Sequence, residues 1–181
     1  MKTLVIYTSQ TGFTKRYAGW LAERTNADIL ELNEARKKDA SFFSGYGAIA
    51  YGGWAMAGKL VKAEWFLEKA VGWKGKVLAV FCVGASPNDS PDVSTALHNM
   101  LTDEQRGYIR AFYCQGGLNY EKMNMPSRMM MKMFASAMDK KKDKTESEKI
   151  MAEMISGSYD ISDKRYIEPI AEYLESRSKA E

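Results

Sequence analysis

Short apolar runs alternate with amphipathic helical stretches along the first two thirds of the chain, and few folds can be built from that alternation. Residues 2–8, 28–34, 47–53, 76–86 and 109–117 each read as a strand. Between them, residues 13–25, 59–71 and 90–101 carry apolar side chains at helical spacing, as Tyr17, Trp20, Leu21 and Arg24 do in the first. Ser90 stands at an N-cap and Pro91 at the first helical position of the third. The closing stretch "KRYIEPIAEYLESR", residues 164–177, sets Tyr166, Ile167, Ile170, Tyr173 and Leu174 on one helical face. Strands this apolar cannot leave one face in water, so the pattern implies a parallel sheet covered by helices on both sides. With 181 residues, 45% of them apolar, the chain is read as a single α/β domain over 1–181, in which 118–164 form an insertion before the last helix.

Composition removes several classes of function. No run is long and apolar enough to cross a bilayer and the N-terminus lacks the zones of a signal peptide, so a soluble, cytoplasmic protein is expected. Cys82 and Cys114 lie far apart in apolar runs, the pattern of buried reduced thiols. A formal charge of +3 is too small and too scattered for a nucleic-acid partner. His98 is the only histidine, and no carboxylate pair, nucleophile–base constellation or metal-ligand cluster accompanies it. No catalytic residue and no metal site are therefore assigned.

In open α/β sheets, ligands sit beyond the carboxyl ends of the strands where the strand order reverses. Three unusual loops lie at such ends: 8–14, 52–58 and 84–91. In the first, the hydroxyls of Thr8, Ser9, Thr11 and Thr14 surround Gly12, and a helix begins near Phe13. Backbone N–H groups and the positive end of the helix dipole converge there, an arrangement that favours a phosphate. The alternative is an N-capped turn without a ligand. The second loop, "GGWAMAGK", has three glycines and an exposed-looking Trp54; the third, "GASPNDSPD", is rich in donors and acceptors. Three such loops can enclose a flat ring system that carries a phosphate.

The segment Ser9-Gln10-Thr11-Gly12-Phe13-Thr14 resembles the T/S-x-T-G-x-T phosphate loop of flavodoxins, and it follows the first strand directly. The resemblance implies a flavodoxin-like three-layer sandwich, a five-stranded parallel sheet of order 2-1-3-4-5, and FMN as a non-covalent cofactor. It assigns Ser9, Thr11, Gly12 and Thr14 to the phosphate, with Gln10 and Phe13 giving backbone N–H groups. Trp54, beside Ala55, would lie against the isoalloxazine. Gly52 and Gly53 would allow the peptide movement that bonds the reduced ring. Val83, Gly84 and Ala85, with Ser86, Asn88 and Asp89, would meet the polar edge of the ring.

Two departures bear on function. The loop after strand four lacks the aromatic residue that in many flavodoxins covers the second flavin face, so that face is expected to be open. The chain is also mildly basic, with pI ≈ 8.7, which suits acidic partners or substrates. Within 118–164, "MNMPSRMMMKMFASAMDKKKDK" holds seven of the twelve methionines. A helix from Pro126 would place Met130, Met133, Phe134, Ala137 and Met138 on one stripe, widened by Met129 and Met131, with Arg128, Lys132 and Lys140 to Lys142 making the remainder basic. A second helix is expected over 144–156, with "DKKKDKTESEK" as the solvated turn. The methionines are either filler in a packed insert or an adaptable surface for an amphiphile, a membrane or a partner helix.

"GGLNYEKMNMPSRMMMKMF" resembles, more loosely, the segment after the last strand of flavodoxin-like menaquinone-dependent protoporphyrinogen oxidases, through Gly117-Leu118-Asn119-Tyr120 and the helix from Pro126. The long basic insertion before the last strand of those enzymes is missing. The expectation is an FMN-binding redox protein performing electron or hydride transfer, with a redox partner protein, a quinone or an acidic amphiphile as its counterpart. A protoporphyrinogen-oxidase-like enzyme using a quinone at a membrane surface, touching it through 123–138, is one alternative. A flavin-free interaction module is the other.

Overall fold

The computed structural model describes residues 1–56 and 58–176. Five main strands form the sheet: β1 (Thr3–Tyr7), β2 (Asp28–Glu31), β3 (Ala48–Met56), β4 (Val77–Gly84) and β5 (Ile109–Gln115). Their order is β2-β1-β3-β4-β5 and every pairing among them is parallel, so the expected topology holds. Register runs Leu4 beside Ile49 and Ile49 beside Leu78, which places the strand ends level at one edge.

Alternation along the strands divides the core in two. Leu4, Ile6, Ile49, Tyr51, Leu78 and Val80 point to one side, where they meet Leu32, Phe43, Phe66 and the half-buried Trp65 and Trp73. Val5, Ala48, Ala50, Val77, Ala79 and Phe81 point to the other, against Tyr17, Leu21, Ile167, Ile170 and Leu174. The first layer contains the helical turns Leu32–Ala35 and Ala40–Ser44 and helix α2 (Glu64–Ala70). The second is built from α1 (Phe13–Thr25) and the last helix (Glu168–Glu175), which a 3-10 turn over Lys164–Ile167 introduces. Small alanines on the second face let those two helices approach the sheet closely, while all eight residues of β4 are buried.

Three element boundaries differ from the sequence reading. The strand expected over 28–34 stops at Glu31, because Leu32 turns into the first core and starts a helical turn. The helix expected over 59–71 begins only at Glu64; Lys59–Leu60 instead pair antiparallel with Ala55 and Met56. That hairpin turns at Gly58, which has a positive φ as does Lys62 just beyond it, and is fastened by the Val61 N–H donating to Trp54 O at 3.1 Å. The glycine-rich "loop" 52–58 is thus mostly the end of β3, with Ala57 outside the described residues. Arg177, the end of the expected last helix, is also outside them.

After β5 the chain leaves the sheet through a two-stranded antiparallel ribbon, Gly117–Leu118 with Tyr159–Asp160. Gly117 has φ 153° and a Cβ there would lie 2.1 Å from the Tyr159 carbonyl oxygen, so only glycine closes this ribbon. The insert hangs from it as two helices, numbered next in chain order after α3 (Pro91–Asn99): α4 (Met125–Lys140) and α5 (Glu146–Met154). Asn124 caps α4, its Oδ1 accepting from Ser127 N–H at 2.9 Å, and Thr145 with Glu148 forms a capping box on α5. The Tyr120 hydroxyl donates to the Ile155 carbonyl at 2.7 Å and ties the two ends of the insert together.

Candidate functional site

The β1–α1 junction is an open cradle of donors. Gly12 holds φ 101° at the N-cap of α1, a conformation other residues adopt only with strain, and its N–H donates to Ser9 Oγ at 3.1 Å. Among the described residues, the N–H groups of Gln10, Thr11, Phe13 and Thr14 donate to no protein acceptor. The Thr14 hydroxyl is likewise without a protein partner there, although the residue is buried. Donors gathered at a helix start and left unpaired by the protein are what an anion requires.

A cavity of about 350 Å³ opens beside this cradle. Gln10, Thr11, Phe13 and Thr14 form its floor, Trp54, Ala55 and Met56 one side, and Val83, Gly84 and Ala85 its inner end. Gly117, Leu118, Met123, Ser127, Met130, Met131 and Phe134 complete it from the insert. Trp54 is half-buried at the end of β3, held by the hairpin. Met130, Met131 and Phe134 of α4 line the same cavity as Trp54, while the strand-four loop, expected to leave a flavin face open, brings no aromatic residue to it. The ribbon at Gly117 leads the insert back to the carboxyl edge of the sheet, where α4 shares one cavity with Trp54 and Gly84.

The other candidates lie elsewhere. Gly52 and Gly53 sit inside β3, in register with Phe81 and Cys82. A Cβ on Gly52 would be 2.1 Å from Phe81 Cζ, and one on Gly53 2.9 Å from Leu60 Cδ1 and the Val61 oxygen. Neither has a positive φ, and the Gly52 carbonyl accepts the Thr8 N–H at 2.9 Å. Close packing against Phe81 and Leu60 is reason enough for glycine at both positions. Ser86, Asn88 and Asp89 do not line the cavity either. The Ser86 carbonyl accepts the Tyr113 hydroxyl at 2.8 Å, and the Asn88 N–H donates to Gln115 Oε1 at 2.9 Å. Asn88 and Asp89 border a separate cleft under α3.

The cavity is held by phenols. The Tyr159 hydroxyl donates to the Ala85 carbonyl at 2.7 Å, and Tyr17 to the Gln115 carbonyl at 2.6 Å. Burial pushes Tyr159 up to about 12 and raises Tyr17 and Tyr113 further, so all three remain neutral donors at physiological pH. Arg16, one turn into α1, is taken up by Asp160 at 2.5 Å and Ser162 at 2.7 Å. Against the burial that raises it, the Asp160 carboxyl is held below its ordinary value by Ser162 and Arg16. Lys122 and Asn119 extend the cradle on the insert side, in a cleft that shares Thr11, Gly12 and Phe13. Cys82 and Cys114 are buried free thiols, Cys82 pushed up to about 12 by burial, and play no part in the cavity. No cluster of three metal-ligating side chains occurs among the described residues.

A phosphate on the cradle with a flat ring between Trp54 and α4 is the group these residues fit, and FMN, implied by the phosphate-loop resemblance, has that make-up. Met56, Met123, Ser127 and Leu118 were not foreseen as lining residues; the wide methionine stripe was the signal that pointed toward α4.

Solved flavodoxins and flavoproteins are among the proteins similar to this chain. A flavodoxin from the domain Archaea is 18% identical, with 97% of this chain and 99% of that one covered and a TM-score of 0.44. A flavoprotein in complex with FMN from Lactobacillus acidophilus NCFM is 15% identical over 63% of this chain and 91% of its own, TM-score 0.43. A WrbA-like flavodoxin from Agrobacterium tumefaciens is 20% identical over 70% and 87%, TM-score 0.43. No curated protein matches the sequence. The family model of the flavodoxin domain matches residues 4–147, which include the phosphate loop, the five strands but for Thr3, and the whole of α4. The chain belongs to the flavodoxin domain family.

Proposed function

We propose that the chain is an FMN-binding redox protein of the cytosol that passes electrons or hydride between its flavin and an apolar or amphiphilic counterpart. One observation carries this reading: unpaired donors of the β1–α1 loop, the Trp54 indole and an apolar wall from α4 converge on a single cavity. Bound there, the flavin supplies the redox chemistry. The protein's own work is placement. The loop N–H groups and the Thr11 and Thr14 hydroxyls hold the phosphate, Trp54 fixes the ring plane, and Met130, Met131 and Phe134 keep water from the opposite side. The neutral phenols of Tyr17, Tyr113 and Tyr159 pin the strand ends that carry these groups.

The test is titration of the purified protein with FMN. Flavin absorbance should shift, Trp54 fluorescence should quench, and Trp54→Ala should weaken binding by about 1–3 kcal/mol through lost aromatic burial. A protein that takes up no flavin under any condition is the flavin-free module instead. A second reading, turnover of a quinone or porphyrinogen, is favoured by the methionine wall, which adapts to a large apolar substrate. Phe134→Ser with Met130→Ser should then slow turnover with either large substrate while leaving reduction by a small artificial donor unchanged.

A further inference from the structure

Helix α4 runs for sixteen residues without one buried side chain. One side of it walls the cavity through Met130, Met131 and Phe134. Another side faces solvent. Met125, Met129 and Met133, four residues apart and so on one stripe, are 68%, 61% and 68% exposed. They line an open groove together with Lys132 and Lys140. Monomeric soluble proteins seldom leave such a contiguous apolar stripe in water without a use for it.

We propose that this face of α4 seats the protein on an anionic lipid surface. Charge selects the occupant. Between Met125 and Lys144 stand six basic and two acidic residues, more positive charge than the +3 of the whole chain. Lys132, Lys140 and Lys142 form no ion pair among the described residues. A second copy of the chain would set these lysines against their own images, whereas a layer of anionic headgroups neutralises them while the methionines enter the acyl boundary. Lysine stems can lie along the apolar face with their ammonium groups at headgroup level. Flexible methionines lose little by meeting a fluid surface of no fixed shape. Met130 and Phe134 are each 46% exposed and also line the cavity, and the hairpin's Met56 is 41% exposed on the same cavity. The docking stripe lies on the side of α4 away from the cavity, so the cavity-lining Met130, Met131 and Phe134 keep their places when the protein is seated. The lipid contact itself is independent of what the cavity holds.

The experiment is co-sedimentation of the full chain, with FMN added, on phosphatidylcholine vesicles with and without phosphatidylglycerol. Binding should be at least about tenfold stronger on the anionic vesicles at low salt and should be lost near 0.5 M salt. Lys132→Glu with Lys140→Glu, and separately Met125, Met129 and Met133 all changed to Ser, should each weaken it about tenfold. Both variants alter exposed residues outside the cavity lining, so their melting temperature and FMN affinity should match the parent and certify the fold. The proposal is overturned if the folded parent stays in the supernatant with anionic vesicles at low salt, or if the lysine reversals leave binding unchanged. A concentration-dependent dimer in sedimentation velocity that the methionine variant abolishes, or capture by an acidic amphipathic peptide without vesicle binding, overturns it equally and names the other occupant.

Discussion

Replacing Thr14 by valine separates what the cradle does for the protein from what it does for a ligand. Thr14 is 1% exposed, yet its hydroxyl has no protein partner among the described residues. Valine keeps the branched shape and removes only the hydroxyl. In the ligand-free protein nothing is left unpaired by the change, so the urea midpoint should move by no more than about 0.5 kcal/mol in either direction. The bound phosphate, in contrast, loses one charge-assisted hydrogen bond worth about 1.5–3 kcal/mol. Kd for FMN should rise by about 10- to 150-fold. Riboflavin has the ring and ribityl chain without the phosphate, so its affinity should not change. Isothermal titration with the two ligands, beside a urea melt of each ligand-free protein, reads all three quantities. Thermal stabilisation by saturating FMN should shrink by the same 1.5–3 kcal/mol, about the amount binding linkage requires. Equal losses for FMN and riboflavin would refute the phosphate assignment. A drop of more than about 1 kcal/mol in the ligand-free midpoint would show that the hydroxyl serves the fold.

Gly52→Ala should destabilise the protein by about 1–3 kcal/mol, because the new methyl meets the Phe81 ring at 2.1 Å. Phe81→Leu in the same chain should recover part of that loss in a urea melt, and a Gly52→Ala midpoint equal to the parent's would show the contact to be soft. Burial that raises both thiols should keep Cys82 and Cys114 unreactive toward a disulfide reagent at pH 8 in the native protein. Both should titrate once urea unfolds it; native labelling at either position would place that strand face in solvent.

Much of the architecture was legible because the strands are short, continuously apolar runs set between helical stretches, a pattern that a sheet buried on both faces requires. Leu4 and Ile6 on one side of Val5, or Leu78 and Val80 on one side of Ala79, separate the two cores as the alternation demands. The phosphate loop was legible for a different reason: a left-handed turn needs Gly12, and hydroxyl residues crowd only such a place. The β3 hairpin was not. Leu60, Val61 and Phe66 satisfy a helical period, and nothing local announces that Lys62 takes a positive φ or that Leu60 is drawn into the first core. Tertiary packing overrode the pattern there. The same holds for Gly52 and Gly53, whose meaning depends on Phe81 and Leu60 lying across from them. Methionines on α4 posed a third kind of problem: one wide stripe covers two jobs, and only the direction in which the Gly117 ribbon aims the helix separates the cavity side from the open side.

The two sides of the cavity differ in how long they last. The sheet side is the end of β4, whose residues are all buried, and it opens only when the domain unfolds. The α4 side buries no residue and is held mainly by Arg128 donating to the Glu121 and Met123 carbonyls, and by the Tyr120 bond to Ile155. Its amide protons should exchange with solvent by sub-global opening, far sooner than those of β3 and β4. A ligand lodged between the two walls should therefore leave by the insert, with a residence time that follows the exchange of the α4 amides and not the global stability of the fold.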